Sequence, residues 1–322
     1  MADAAAPAVD TASEVVAASA VAAAAEVDVV IATRGRPELL ARALAAVRTQ
    51  DHPGVVRTWV VFDQGPMDPS VTDQDPRRPV TALANTRTPG LAGARNSGIA
   101  AGRAPWVAFC DDDDRWLPNK LTAQLAELAR TGAPTSVTGI VVAYGDTRTE
   151  RVATSSELTL ANLVRHRVMA AHPSTVVVAR EALEGPIGLV DEEIPGSHGE
   201  DYDWIIRAAR HAGFAVVEQP LVEVTWGQSL FSQRWATIVA ATDYWLDKHP
   251  EFRADRHALA RLSGQRAFAL AAMRSPEVWP AIRQTLRCRP AERRTALALA
   301  VALRLVSAER LMDLAHRHGR GI

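Results

Sequence analysis

Cysteine is nearly absent from this sequence. Cys110 and Cys288 are the only two. Neither sits in a Cys or His spacing that suggests zinc, and two do not make a disulfide framework. A reducing cytoplasm fits that usage. An excess of charge of either sign is missing too. The 36 Lys and Arg face 37 Asp and Glu, a net charge of −1, which excludes a whole-molecule electrostatic grip on nucleic acid. No apolar run approaches the length that spans a bilayer, and no internal repeat is visible. A phosphate loop is lacking, because no Gly-Lys-Ser/Thr follows the glycines at 90–98. So is a signal peptide. Residues 1–26 are mostly Ala and Val with four acids, and the first positive side chain is Arg34. This stretch reads as a disordered or loosely helical leader, since Ala favours helix.

What is present is ordinary for a soluble globular protein: 48% hydrophobic and 23% charged residues in a chain of 322. That length suits one large α/β domain with an appendage, or two domains. Val27 to Thr33 is β-branched and apolar, and predicts a strand. Pro37 opens a helix whose apolar face is Leu39, Leu40, Ala43, Leu44 and Val47. Strands are expected at Val55 to Phe62, Val80 to Asn85, Val107 to Cys110, Val137 to Tyr144, Ser174 to Ala179 and Phe214 to Val224. Arg148 to Val152 is a candidate partner for Val137 to Tyr144. Helices are expected to open within Thr88 to Ile99, from Leu117 to Gly132, over Leu158 to Val168, and from Glu200 to a cap at Gly213. Such alternation argues for a mostly parallel sheet with helices on both faces. From Trp235 strand signals vanish and Ala, Leu and Arg dominate. Arg283 to Ile322 holds nine Arg against three acids. This is either a helical lid on the main domain or a basic amphipathic surface for a partner or an anionic membrane.

The chain is organised around Ala104 to Pro118. A short buried strand ends in Asp111, Asp112, Asp113 and Asp114 without a spacer. Packed carboxylates repel, and Asp is a poor strand residue, so the strand stops there. Solvent screening or a bound cation makes such a cluster tolerable. Hard ions such as Mg²⁺ and Mn²⁺ take carboxylate oxygens together with substrate phosphates. Open α/β sheets also place ligands at the carboxyl ends of their strands. On extended backbone alternate residues point the same way, so Asp111 and Asp113 are expected to share one ligand while Asp112 and Asp114 face elsewhere.

Other segments carry two readings each. Glu200-Asp201 either caps a helix or supplies a general base facing the metal across a cleft. Asp63-Gln64 is either a turn or a polar contact to a nucleotide base or ribose. Arg95 reaches either a diphosphate or the nearby aspartates. Trp204, Trp226 and Trp235 line a sugar or acceptor pocket or belong to ordinary core.

Taken in order, five segments resemble the family 2 glycosyltransferases, which have the GT-A fold. They are Val29 to Pro37, Val60 to Gln64, Ala94-Arg-Asn-Ser-Gly-Ile99, Phe109 to Trp116, and Gly199-Glu-Asp-Tyr-Asp-Trp-Ile-Ile-Arg207. The likeness runs from about Val27 to Ser232. It implies a leader over 1–26, a Rossmann-like GT-A domain over 27–232 and a helical C-terminal region over 233–322. It implies a nucleotide-diphosphate-sugar donor and an Mn²⁺ or Mg²⁺ ion held by Asp113 with Asp111. Donor contacts are implied for Thr33, Arg36, Asp63, Gln64, Arg95, Asp111 and Asp112. Asp201, with Glu200, is the implied catalytic pair, and Trp204 and Trp226 the implied acceptor wall. The reaction would be one in-line displacement inverting the anomeric carbon. Two departures stand out. Gln64 occupies the place of a second aspartate, and after Val224-Thr-Trp-Gly227 there is no histidine of the sort some relatives present to the metal. A non-catalytic sugar-nucleotide binder is the alternative, and an aspartate-nucleophile phosphohydrolase a weaker one, because Arg115 breaks its pattern. A cytoplasmic protein is expected, with the basic C-terminal helices as its route to a membrane or protein partner.

Overall fold

A computed structural model of the chain describes residues 25–145, 147–225 and 234–317. The expected leader to residue 24, Trp226 and the boundary at 232/233 lie outside the described residues. Strand β1 (Val27–Thr33) is buried along its whole length and forms the middle of the sheet. It pairs in parallel with β2 (Val56–Phe62) on one side and β4 (Trp106–Phe109) on the other. Beyond β2 lies β3 (Val80–Ala84), also parallel. The chain thus runs outward through β2 and β3, then returns to the other side of β1. The gap between β1 and β4 is a topological switch point, where open α/β sheets leave a crevice at the strands' carboxyl ends.

Beyond β4 the direction changes. Strand β8 (Val177–Ala179) runs antiparallel to β4 and to β6 (Thr135–Tyr144). Strand β9 (Phe214–Thr225) is parallel to β6. Two short partners finish the edges: β5 (Arg115–Trp116) on β9 and β7 (Thr147–Arg151) on β6, both antiparallel. Most paired residues still lie in parallel ladders.

Alternation along β1 explains the two layers. Val27, Val29 and Ile31 point to a core shared with Leu40, Leu44 and Val47 of α1 (Pro37–Arg48) and Leu121, Leu125 and Leu128 of α3 (Lys120–Thr131). Val30 and Ala32 point to the other core, which α2 (Leu91–Ala101), α4 (Leu160–Arg165), α5 (Arg180–Glu184) and α6 (Glu200–His211) cover. Helix α2 needs Gly98 for its approach, since a Cβ there would lie 2.5 Å from Val30 Cγ1. Asp28, fully buried on β1, is satisfied by the Trp59 indole (3.0 Å), the Ala104 N–H (2.7 Å) and Arg180 (2.7 Å).

Two local expectations fail. The strand expected from Ser174 begins only at Val177, because Pro173 pins a 3₁₀ turn over Pro173–Thr175. The cap expected at Gly213 is also displaced. Helix α6 ends at Ala212 in extended backbone, which feeds directly into β9 at Phe214 with no left-handed residue.

The C-terminal residues form α7 (Trp235–Lys248), α8 (Pro250–Ala254), α9 (Arg256–Ala272), α10 (Val278–Cys288), α11 (Arg293–Ala302) and α12 (Ala308–Arg317). Trp245, Phe252 and Leu262 belong to the α6-side core, so α7 to α9 pack on the sheet domain. Phe268, Ile282, Ala298 and Val301 build a separate core among α9 to α11. Among the described residues, no helix is long and apolar enough to cross a membrane.

One buried charge in this frame has a measurable consequence. Lys120 is fully buried at the start of α3, with Nζ 3.8 Å above the Trp116 ring and no hydrogen-bond partner. Burial pulls its amine down to about 7. In the folded chain it is neutral above that pH, whereas the unfolded chain keeps the proton until about pH 10.4. Unfolding therefore takes up a proton across this window, and stability rises with pH through it. Lys120→Met is expected to stabilise the fold by about 4 kcal/mol more at pH 6 than at pH 10. Denaturant unfolding at the two pH values checks this.

Candidate active site

Three parallel strands deliver polar residues to one edge of the sheet: Thr33 ends β1, Asp63 follows β2 and Asp111 follows β4. The segment after β4 is a tight turn, in which the Asp114 N–H donates to the Asp111 carbonyl at 3.2 Å. The extended backbone expected there does not form. Repulsion among four adjacent carboxylates is relieved by turning them outward in different directions, each toward its own partner. Asp111 and Asp113 are the part-exposed members of the run, but each is held by a different arginine. Asp111 meets Arg95 at 2.7 Å, and Asp113 meets Arg36 at 2.7 Å. Asp112 is buried, accepting from the Thr33 hydroxyl and pairing with Arg36, both at 2.7 Å. Asp114 is buried and accepts from the Ser174 hydroxyl, which in turn accepts the Asp111 N–H at 2.9 Å.

The opposite wall is the first turn of α6. Gly199 precedes it with φ +70°, and a Cβ there would stand 2.4 Å from the Trp245 ring. Only glycine fits both demands. Glu200 and Asp201 follow. Arg95, buried on α2, pairs with Glu200 as well as Asp111 and so joins the two walls. Its guanidinium lies 5.9 Å from the Phe109 ring centre. Truncating it would leave two carboxylates without their shared cation, the costly way to break a buried pair. Arg95, Phe109, Pro173, Glu200, Asp201 and Trp204 line a small pocket between the walls.

Charge states follow from these surroundings. Burial pushes the Glu200 carboxyl up, against the pull of Arg95, to about 7. Burial also acts upward on Asp201, but the Arg167 and Arg95 charges outweigh it and hold the carboxyl below its usual range. Arg167, more than half exposed, pairs with Asp201 at 2.8 Å. Asp201 is thus ionised at neutral pH, with its side chain 14% exposed beneath Arg167. Burial raises Asp112 to about 6 and lifts Asp114 well above the usual carboxylate range, with Asp111 adding to the latter.

His172 was not singled out from the sequence, and it belongs here. Its Nδ1 lies 3.4 Å from Asp114 and its Nε2 3.9 Å from Asp111. Among the described residues, Asp111, Asp114 and His172 form the group whose ligand atoms all fall within 4.8 Å of one another. Burial lowers the imidazole's pKa, which favours the neutral form that ligates metals. Two carboxylate oxygens and one neutral imidazole fit Mn²⁺ or Mg²⁺, and two mutually repelling acids gain from a cation between them. The available signal was His172-Pro173. A proline directly before a valine run forces a turn and fixes the preceding residue at the strand's entrance.

The remaining expected residues are placed as follows. Asp63 is nearly buried and accepts from Asn85 (2.8 Å), the Gly90 N–H (3.1 Å) and Gln64 (2.8 Å). It ties the end of β2 to the start of α2, and Gln64 sits at the turn with φ 52°. Thr33 and Arg36 hold the acidic turn rather than standing open. Trp204 is buried, edge-on to Phe109 at 6.2 Å, with its indole N–H on the Gly188 carbonyl at 3.1 Å. It is core that also backs the pocket. Trp235 packs on Phe268 in the helical region, 5.8 Å between rings.

The site is an acidic crevice at the switch point of an open α/β sheet. Residues 28–184 match the family described as "Glycosyl transferase family 2". It is 32% identical over 137 residues to the succinoglycan biosynthesis protein ExoO of Rhizobium meliloti (strain 1021), covering 41% of this chain. It spans 38% of that relative's length. In structure it resembles residues 1–349 of TarS from S. aureus in complex with UDP, with a TM-score of 0.55 at 18% identity over 92% of each chain. The TarS complex with UDP-GlcNAc superposes equally, with a TM-score of 0.55 at 18% identity over 92% of each chain. The GT-A-like fold is thereby shown, including a helical C-terminal region.

Proposed function

We propose that this chain transfers a glycosyl group from a nucleotide-diphosphate sugar to an acceptor nucleophile, with a divalent cation and with inversion at the anomeric carbon. The observation that carries this reading is the pairing of two carboxylate walls at a sheet switch point. One is a turn with Asp111, Asp114 and His172 gathered to hold an ion; the other is a helix start with Asp201 ionised beneath Arg167. The UDP and UDP-GlcNAc bound in the TarS structures support the donor class.

Mn²⁺ or Mg²⁺, when bound, stabilises the charge on the departing nucleoside diphosphate. Asp111, Asp114 and His172 would hold it. Asp113, expected from the sequence as the partner of Asp111, instead stays with Arg36 on the open side of the turn. Thr33 and Arg36 hold Asp112 and so fix the turn's shape. Asp63 and Gln64 stand at the end of β2 as the base or ribose contact. Asp201 takes the proton from the acceptor as it attacks, a role open to a carboxylate that is ionised at neutral pH. Glu200 is committed to Arg95, which keeps the two walls in register.

A thermal-shift panel of UDP-, GDP- and TDP-sugars with and without Mn²⁺ tests the donor half. Matching donors are expected to raise Tm only when the metal is present, because binding to the folded state alone stabilises it. Equal shifts with chelator would contradict the metal's role.

A further inference from the structure

The C-terminal helices present a surface that the catalytic reading does not use. Helix α10 buries Val278, Ala281, Ile282 and Thr285 and turns Trp279, Arg283, Leu286 and Arg287 outward. These outward positions are spaced by three and four residues, so they share one face about 10 Å long between Trp279 and Leu286. Trp279 is 47% and Leu286 40% exposed. After α11, Leu303 and Leu305 are 57% and 77% exposed on either side of Arg304. Val278, Ala281 and Ile282 share a core with Ala298 and Val301. The start of α10 therefore lies beside the end of α11, and Leu303 to Leu305 emerge at the Trp279 end.

The charge on this face has one sign. Between Val278 and Ala308 the sequence has six Arg and one acid, Glu292. That acid is buried and already engaged by Arg294 at 2.9 Å. Among the described residues, Arg283, Arg287, Arg293 and Arg304 have no ion-pair partner. The whole chain has a net charge of −1, so this segment is a local positive excess.

We infer that this face docks on the surface of an anionic lipid bilayer. The combination is what decides the partner. Unpaired arginines seek phosphate-bearing headgroups, and Trp and Leu between them insert at the headgroup–acyl boundary. An acidic protein partner is the competing occupant, and binding to lipid vesicles with no protein present separates the two. Among the described residues no helix is long and apolar enough to cross a membrane, and this face meets the bilayer at its surface. Helix α10 packs on α9, and α9 is fixed to the catalytic wall. Its Arg261 donates to the Tyr202 hydroxyl at 2.6 Å, next to Asp201. Docking thus sets the active-site cleft at a constant distance from the bilayer.

Co-sedimentation of the full chain with phosphatidylcholine vesicles, with and without phosphatidylglycerol, tests this without any donor or metal. Binding is expected only to the phosphatidylglycerol vesicles and is expected to weaken with salt. Arg283→Gln and Arg287→Gln should each lower the partition coefficient roughly fivefold. Trp279→Ser should lower it too while leaving the circular dichroism melt unchanged. Equal binding to neutral vesicles, no binding to anionic ones, or variants that bind like the parent would overturn the inference. A concentration-dependent dimer in light scattering that Trp279→Ser dissolves would overturn it as well, assigning the face to a second copy.

Discussion

Asp111→Asn is expected to abolish metal-dependent donor binding. The substitution keeps the side chain's size and its place after β4 but removes the charge that faces both His172 and Arg95. An amide oxygen is a much weaker donor to a hard cation than a carboxylate, and the loss of one ligand among three is expected to weaken Mn²⁺ binding by about 100-fold or more, a difference of several kcal/mol. Donor affinity measured by calorimetry in Mn²⁺ should fall to the metal-free level. Two companions locate the ion. His172→Ala should weaken Mn²⁺ binding strongly, whereas Asp113→Asn should act less, because Asp113 is paired with Arg36 and lies outside the three-residue group. The reverse ranking would return the ion to the Asp111–Asp113 pair.

Asp201→Asn is expected to leave donor binding near the parent's while transfer falls by about 10²- to 10⁴-fold, the usual worth of a positioned base. The neighbouring groups define why. Arg167 holds Asp201 from the solvent side at 2.8 Å, so the carboxylate stays ionised and waits at the mouth of the pocket. Glu200, pushed up to about 7 and locked to Arg95, does not replace it. Parent-rate transfer by the variant would show that the base lies elsewhere. A parent chain that binds donor yet moves no sugar to any acceptor would favour the non-catalytic binder instead.

Much of this architecture is legible in the residues. Apolar alternation in Val27 to Thr33 and the helical spacing of Leu121, Leu125 and Leu128 each declare their layer, because burial enforces the period. The chain position of Asp111 to Asp114, after a short buried strand, locates the crevice. What the sequence hid was direction. Periodicity assumes regular backbone, and four adjacent carboxylates repel one another out of it into a turn. Burial still alternates along the run, but the turn also brings the buried Asp114 within reach of Asp111 and His172. His172 was hidden for a different reason. It lies 61 positions from Asp111, on a turn that β8 carries to the neighbouring strand position, and only the antiparallel pairing of β8 on β4 brings it near. The pairing of Arg95 with both walls is equally non-local, although an arginine beside an acidic strand end is an available hint.

Electron paramagnetic resonance of the protein titrated with Mn²⁺ tests the core of the account most directly. A single tightly bound ion is expected, with a nitrogen coupling from His172 that disappears in His172→Ala and with no bound ion in Asp111→Asn. Mn²⁺ that binds without nitrogen coupling, or that binds Asp111→Asn as it binds the parent, would contradict it.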